Sequence, residues 1–341
     1  MTHEFKQIVE SHIKATQKGQ KTVLATVVAL DGSSYRKPGV RMLIREDGKM
    51  TGAVSGGCVE KEVLRQSETV FKTQIPKVMT YDGRYRLGCE GILHILIEPL
   101  QLSANFIKSF EQTIAERVVF SITSAFKKEV VEDASFGSQV AFLDGTSFSL
   151  AENKKVTTST EVETFTQQLK PSLKLILIGA EHDAVQLCAL ASLNGWEVVI
   201  VAPEDDPKTL TNFPGAKQLE NVSPYTFNPE LIDKETAVVL MTHSFSKDLQ
   251  FLLKIAHLPL KYLGILGPAR RREKLFQQLL EYMPTLDDAF FERVFAPAGI
   301  HIGAETPQEI AVSIIAEILA VEHGAEVMHL KNKEGRIHAD E

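Results

Sequence analysis

Residues Leu173–Gly179 read LKLILIG, an unbroken apolar run, and residues 183–195 read DAVQLCALASLNG, a helical pattern closed by Gly195. The alternation recurs downstream in WEVVIVA (196–202), TAVVLMTH (236–243) and KYLGILG (261–267), and a long helical pattern covers Pro307–His323. A strand with one wet face alternates apolar and polar residues, whereas uninterrupted runs belong to a parallel sheet covered by helices on both faces. The alternation therefore predicts an α/β fold, with a doubly wound parallel-sheet domain over 171–325 and a polar, mobile tail over 326–341.

At 341 residues the chain is long for a single core, and its first part has a different rhythm. Phe5, Ile8, Val9 and Ile13 fall at helical spacing. TVLATVVAL (22–30) reads as a buried strand, Val40–Ile44 as a second, and Asp47-Gly48 as a hairpin turn. A helix over Val59–Phe71 carries a solvated face of Glu60, Lys61, Glu62, Arg65 and Glu68. Strands at Lys77–Tyr81 and Gly91–Glu98 complete an α+β domain over 1–100. Residues 101–170 read as an intermediate β-rich or linker region: RVVFSITSAF (117–126) as a strand, QVAFLDGTSFSL (139–150) as a hairpin, and ENKKVTTSTEVETFTQQLKPS (152–172) as a polar connection.

A formal charge of −7 argues against a nucleic-acid partner, because phosphate backbones demand a basic face. The N-terminus lacks the apolar core of a signal peptide, and no apolar run approaches the ~20 residues that span a bilayer. Three cysteines without a CxxC fit a reducing compartment. These features point to a cytoplasmic protein with no membrane association. A homodimer is expected, since closed symmetric dimers are the commonest assemblies.

The first strand-to-helix junction of the second domain, Gly179-Ala180-Glu181-His182-Asp183-Ala184, stands where a Rossmann-like fold carries its dinucleotide fingerprint. That fingerprint needs a second glycine for backbone approach to a pyrophosphate, and Glu181 would crowd and repel it. The acid that should end the second strand is replaced by Ala202-Pro203, so ordinary NAD(P) binding is disfavoured. Met241-Thr242-His243-Ser244 and Gly264–Arg272 follow later strands, and ligands of open α/β sheets bind beyond such strand ends. Gly267 permits close backbone approach; Arg270 and Arg271 suit a forked anion, or serve as solvated arginines at a helix start. Thr306 and Glu309 form a capping box, and Pro307 occupies the first helical turn. The preceding PAGIHIGAE (297–305), with Gly299 and His301, suggests backbone wrapped around a ligand or a neighbouring chain.

In the first domain, Ser33-Ser34-Tyr35-Arg36-Lys37 joins two strands with hydroxyls and cations, a composition that fits an oxyanion site or an ordinary surface turn. Ser55-Gly56-Gly57-Cys58 places a thiol where a glycine turn enters a helix, a position that favours thiolate and suits soft metals. Cys89 lies in a second glycine turn, and Cys188 falls on the apolar face of the first helix of the second domain, as core.

Together these segments resemble the xanthine dehydrogenase accessory factor (XdhC/CoxI-like) family. The matching pieces are GSSYRKPGVRMLI (32–44), GAVSGGCVE (52–60), DGR…LGCEG (82–91), GAEH (179–182), MTH (241–243), YLGILGPARRREKL (262–275) and PAGIHIGAETPQEIAVSIIAEILA (297–320). The resemblance implies a non-catalytic chaperone that binds molybdenum cofactor (molybdopterin), works with a cysteine desulfurase that sulfurates it, and inserts it into a molybdenum hydroxylase of xanthine dehydrogenase type. It implies that the thiol loops of the first domain and the strand ends of the second face the cofactor. Cys58 and Cys89 would be thiolate metal contacts, and Ser33, Ser34, Arg36, Arg270 and Arg271 anion contacts. Ser55, Gly56, Gly57, Gly179, His182, His243, Gly267, Gly299 and His301 would line the site. Two other functions compete: a nucleotide-dependent oxidoreductase with His182 or His243 as proton donor, and a docking scaffold that binds no ligand.

Overall fold

The computed structural model describes residues 1–32, 37–83, 91–151 and 162–334. The chain divides into two units, Met1–Pro171 and Ser172–Glu341. The first begins with α1 (Thr2–Thr16), β1 (Thr22–Asp31), β2 (Arg41–Arg45), β3 (Met50–Gly52), α2 (Cys58–Thr73), β4 (Lys77–Asp82) and β5 (Ile92–Pro99). The five strands form an antiparallel sheet in the order β3-β2-β1-β5-β4. Successive side chains of β1 point to opposite faces, as the period of a strand requires. Val23, Ala25 and Val27 pack with Val59, Val63 and Val70 of α2. Leu24 meets Phe5, Ile8 and Val9 of α1 on the other face.

That second face continues into α3 (Ala104–Ala115) and a four-stranded antiparallel sheet of β6 (Phe120–Phe126), β7 (Gly137–Ala141), β8 (Ser147–Ser149) and β9 (Glu163–Leu169), ordered β8-β7-β6-β9. Phe106, Phe110, Phe120 and Phe142 bind this layer to α1. The polar stretch read as a connection contains β9, paired along its length with β6. Only Phe165 and Leu169 give this edge strand apolar inward positions, so its composition concealed it.

The second unit comprises β10 (Lys174–Ile178), α4 (His182–Leu193), β11 (Glu197–Ala202), β12 (Ala216–Asn221), β13 (Thr236–Leu240), α5 (Phe245–Ile255), β14 (Tyr262–Ile265), α6 (Ala269–Tyr282), α7 (Asp288–Glu292), β15 (Val294–Phe295) and α8 (Pro307–His323). All six strands are parallel, in the order β12-β11-β10-β13-β14-β15. This is the doubly wound order, reversing direction between β10 and β13. Leu175 and Leu177 of β10 face α4 and α8, while Ile176 and Ile178 face α5 and α6. Both faces of β10 are covered, which explains the unbroken apolar run. Cys188 is fully buried in this core, and burial pushes its thiol up to about 11. No helix among the described residues is long and apolar enough to cross a membrane.

Unit one also buries a neutral histidine. His12 Nε2 accepts from Leu102 N at 3.4 Å, which leaves Nδ1–H to donate to Thr22 Oγ1 at 2.7 Å. Burial lowers its pKa from 6.5 to about 4. The folded value lies below the unfolded one, so the stabilising contribution is complete above pH 6.5 and drains away as pH falls toward 4. The total is on the order of 3 kcal/mol. Urea midpoints measured from pH 7 to 4 should fall more steeply for the wild type than for His12→Gln, and parallel profiles would refute the assignment.

Candidate functional site

The carboxyl ends of β10 and β13 close against each other before they diverge. Met241 N donates to Ile178 O at 2.8 Å and Gly179 N to Val201 O at 3.0 Å. Gly179 adopts φ +137, and a Cβ there would stand 2.3 Å from Met241 O. The glycine is therefore required by strand packing, and its N–H is already committed to the sheet. Glu181 caps α4 without a side-chain capping bond, and His182 opens the helix in an exposed position. His243 holds a left-handed φ of +56 beyond β13, with Nε2 3.7 Å from Asp183 Oδ2. Such a backbone state is uncommon outside glycine and is concentrated at functional rims. The strand ends thus bring His182, Asp183 and His243 to one rim.

Behind His243 lies a buried ionic knot. Asp248 of α5 is 1% exposed and accepts from Thr242 Oγ1 at 2.6 Å, Thr242 N at 3.3 Å and Arg271 Nη2 at 2.5 Å. Arg271 also lies over the Phe245 ring at 5.8 Å. A Cβ on Gly267 would meet Arg271 Cδ at 2.7 Å, so this glycine gives the arginine room to turn inward. The arginine pair expected to bind an anion consequently splits: Arg271 neutralises Asp248, and Arg270 stands exposed. Sequence reasoning missed Asp248 and Asp183 because nothing in their local pattern marks a buried or paired carboxylate.

The PAGIHIGAE segment wraps around α8. Gly299, at φ +107, would place a Cβ 2.4 Å from Ser313 Oγ, and Ser313 Oγ donates to Ile300 O at 2.6 Å. Glu317 Oε2 accepts from Gly299 N at 2.8 Å and from the Tyr262 hydroxyl at 2.6 Å. Burial, reinforced by Glu317, raises the Tyr262 phenol well above its usual range. His301 is exposed beyond this anchor.

In the first unit, the sheet register gathers several loop junctions at one edge. Asp31 pairs with Ile92, Asp82 also pairs with Ile92, and Met42 pairs with Gly52. Ser55 and the exposed Gly56, Gly57 and Cys58 lead from β3 into α2. Among the described residues no heavy atom lies within 4 Å of a Cβ built on either glycine. Glu60, read as part of the solvated face, is buried, because it shares a helix face with Val63 and Ser67. Its Oε1 accepts from Ser55 N at 2.8 Å. At the same edge Asp31 accepts from Lys128 Nζ at 2.7 Å and from His94 Nε2 at 2.9 Å, and these bonds hold its carboxyl below the usual range. Ser33, Ser34, Arg36 and Cys89 lie outside the described residues. No group of three or more His, Cys, Asp or Glu that could hold a metal ion occurs among the described residues.

Comparison with known proteins gives two family matches. Residues 15–82 match the XdhC and CoxI family, and residues 175–318 match the XdhC Rossmann domain. A Bacillus subtilis (strain 168) protein, named as a probable xanthine dehydrogenase subunit, is 30% identical over 315 residues, covering 88% of this chain and 93% of its own length. The molybdenum cofactor insertion chaperone PaoD of Escherichia coli (strain K12) is 22% identical over 326 residues, 94% of this chain and 90% of that one. The crystal structure of a xanthine dehydrogenase from Bacillus halodurans has the same fold, with a TM-score of 0.76, 24% identity and coverage of 96% of this chain and 98% of that one.

The split arginine pair can be tested directly. Arg271→Ala leaves Asp248 buried without its cation and should cost about 3 kcal/mol, whereas Arg270→Ala should stay within about 0.5 kcal/mol. The readout is urea unfolding followed by fluorescence of Trp196, the chain's one tryptophan. Equal losses for the two variants would show that Arg271 is not tied into the fold in this way.

Proposed function

We propose, from the premise that this chain belongs to the XdhC and CoxI family, that it is a maturation factor that binds molybdenum cofactor and inserts it into a molybdenum hydroxylase of xanthine dehydrogenase type. The cofactor is cargo, and what it supplies once delivered is the redox-active metal of the target enzyme. The observation that carries the proposal is the contrast between the two described thiols. Cys188 is sealed in the core, whereas Cys58 is exposed behind an open glycine pair. Thiol sulfur is a donor suited to soft metal centres, so Cys58, and by sequence Cys89, are the assigned metal contacts. Ser33, Ser34 and Arg36, by sequence, are assigned to the cofactor's anionic groups. The names of two similar proteins, an insertion chaperone and a xanthine dehydrogenase component, support the same role.

Nicotinamide nucleotide binding has less support. Glu181 occupies the fingerprint's second glycine, the Gly179 N–H is spent on Val201, and β11 ends at Ala202. Asp205, the next carboxylate but one, is engaged by Lys247 at 3.0 and 3.1 Å. The proposal extends to a cytoplasmic homodimer that cooperates with a cysteine desulfurase.

Protein purified from cells that make the cofactor should carry molybdenum by elemental mass spectrometry and pterin by fluorescence after oxidation. Cys58→Ala should lower both about tenfold or more, the scale of one lost strong contact, without shifting the unfolding midpoint. Full loading of a Cys58/Cys89 double alanine variant would remove the thiol assignment. Saturable NAD(P)H binding by protein free of molybdenum and pterin would favour an oxidoreductase instead.

A further inference from the structure

Among the buried polar atoms of the first unit that lack a partner within the described residues, two share a setting: Glu60 Oε2 and the Tyr81 hydroxyl. Glu60 is 8% exposed and Tyr81 6%. A carboxylate oxygen or phenol removed from water without a hydrogen bond costs about 1–3 kcal/mol, and more when charged. Native structures retain few such groups, and each calls for a reason. Tyr81 belongs to the core cluster on the α2 face of the sheet, together with Val59 and Val63 on either side of Glu60. It is also next to last in β4, at the edge where Asp82 pairs with Ile92. Among the described residues Glu60 is held from one side only, by the Ser55 N–H on Oε1, so the carboxylate is fixed while Oε2 has no partner there.

The chemistry of the pair is selective. An anion would be repelled by the carboxylate. A planar edge carrying adjacent N–H donors is matched by it, in the way that guanidinium is matched by a carboxylate. A pterin presents that edge through its ring N3–H and 2-amino group. We infer that Glu60, with the Tyr81 hydroxyl from the core cluster to which its neighbours Val59 and Val63 belong, recognises the 2-amino-4-oxopyrimidine edge of a pterin, while Cys58 remains exposed in the same helix turn. This rests on the proposed cargo and adds which residues read its organic end. It also distinguishes the site from a plain anion-binding loop, which would take any phosphate.

The test uses the purified full-length chain and two free probes, pterin and lumazine; lumazine carries a carbonyl in place of the 2-amino group. Ligand fluorescence should show pterin bound about tenfold more tightly than lumazine, a difference of roughly one hydrogen bond to a charged group. In Glu60→Gln the amide oxygen can still accept from Ser55, but one acceptor becomes a donor. Pterin affinity should fall about 10- to 100-fold and the preference should turn toward lumazine, with the unfolding midpoint unchanged. Tyr81→Phe should weaken both probes a few-fold, as expected for loss of one neutral hydrogen bond. Unaltered pterin binding by Glu60→Gln, or equal affinities of the wild type for both probes, overturns the inference. The two proposals fail separately. Glu60→Gln loaded in cells with as much molybdenum and pterin as the wild type sinks the recognition site and leaves the insertion role standing. A wild type empty of cofactor that still shows a Glu60-dependent preference for pterin sinks the role and keeps the site.

Discussion

The rim of the second unit is built on a contact that only glycine allows. Where β10 ends, the space of the Gly179 side chain is taken by the Met241 carbonyl. This lets β10 and β13 stay hydrogen-bonded to their last residue, through Met241 N and Ile178 O. The strands can then part abruptly, one into α4 and the other into the turn that holds His243. With a larger residue the two ends would separate earlier, and the His243 ring would lose its register with Asp183. The Asp248–Arg271 pair plays the supporting part from behind, since it holds the backbone and hydroxyl of Thr242, the residue just before His243.

Much of the charge that looks available for ligands in the sequence is used by the protein on itself. Arg271 is spent on Asp248, Lys247 on Asp205, and Lys128 with His94 on Asp31. In the first unit the opposite holds at Glu60 and Tyr81, which are buried and undersatisfied among the described residues. Internal neutralisation lowers general affinity for anions, and under the proposed recognition the unmatched groups at a fixed edge would give preference for one shape of ligand. Under the proposed carrier role that division is useful, because the cargo would be held by features that the surrounding metabolite pool does not share.

The sequence disclosed what depends on neighbours along the chain. The apolar run of β10, the capping box at Thr306 and the burial of Cys188 all follow from local periodicity, and the parallel sheet follows from their repetition. It did not disclose what depends on partners across space. Arg270 and Arg271 are identical by type and adjacent, and only the position of Asp248 separates them. Glu60 looked solvated because its charge outweighed its place on the wheel beside Val63 and Ser67. β9 was hidden because an edge strand needs few apolar residues. Gly299 did mark a wrapped backbone, although what it wraps is Ser313 of the chain's own last helix. The loops holding Ser33, Ser34, Arg36 and Cys89 fall outside the described residues, so their part rests on sequence pattern alone.

The anchoring of residues 299–300 to Ser313 and Glu317 has a bearing on biosynthesis. β10 emerges from the ribosome early in the second unit, yet one of its two covering layers includes Ile314, Ile315 and Ile318 of α8. That face stays open until α8 itself has been made. This helix therefore acts as a closing piece, and the covering of β10 on that face is completed only once residues 307–323 have emerged. A ribosome stalled before residue 313 would release a unit with an intact N-terminal portion and an unfinished, sticky C-terminal sheet, a product for quality control rather than for service.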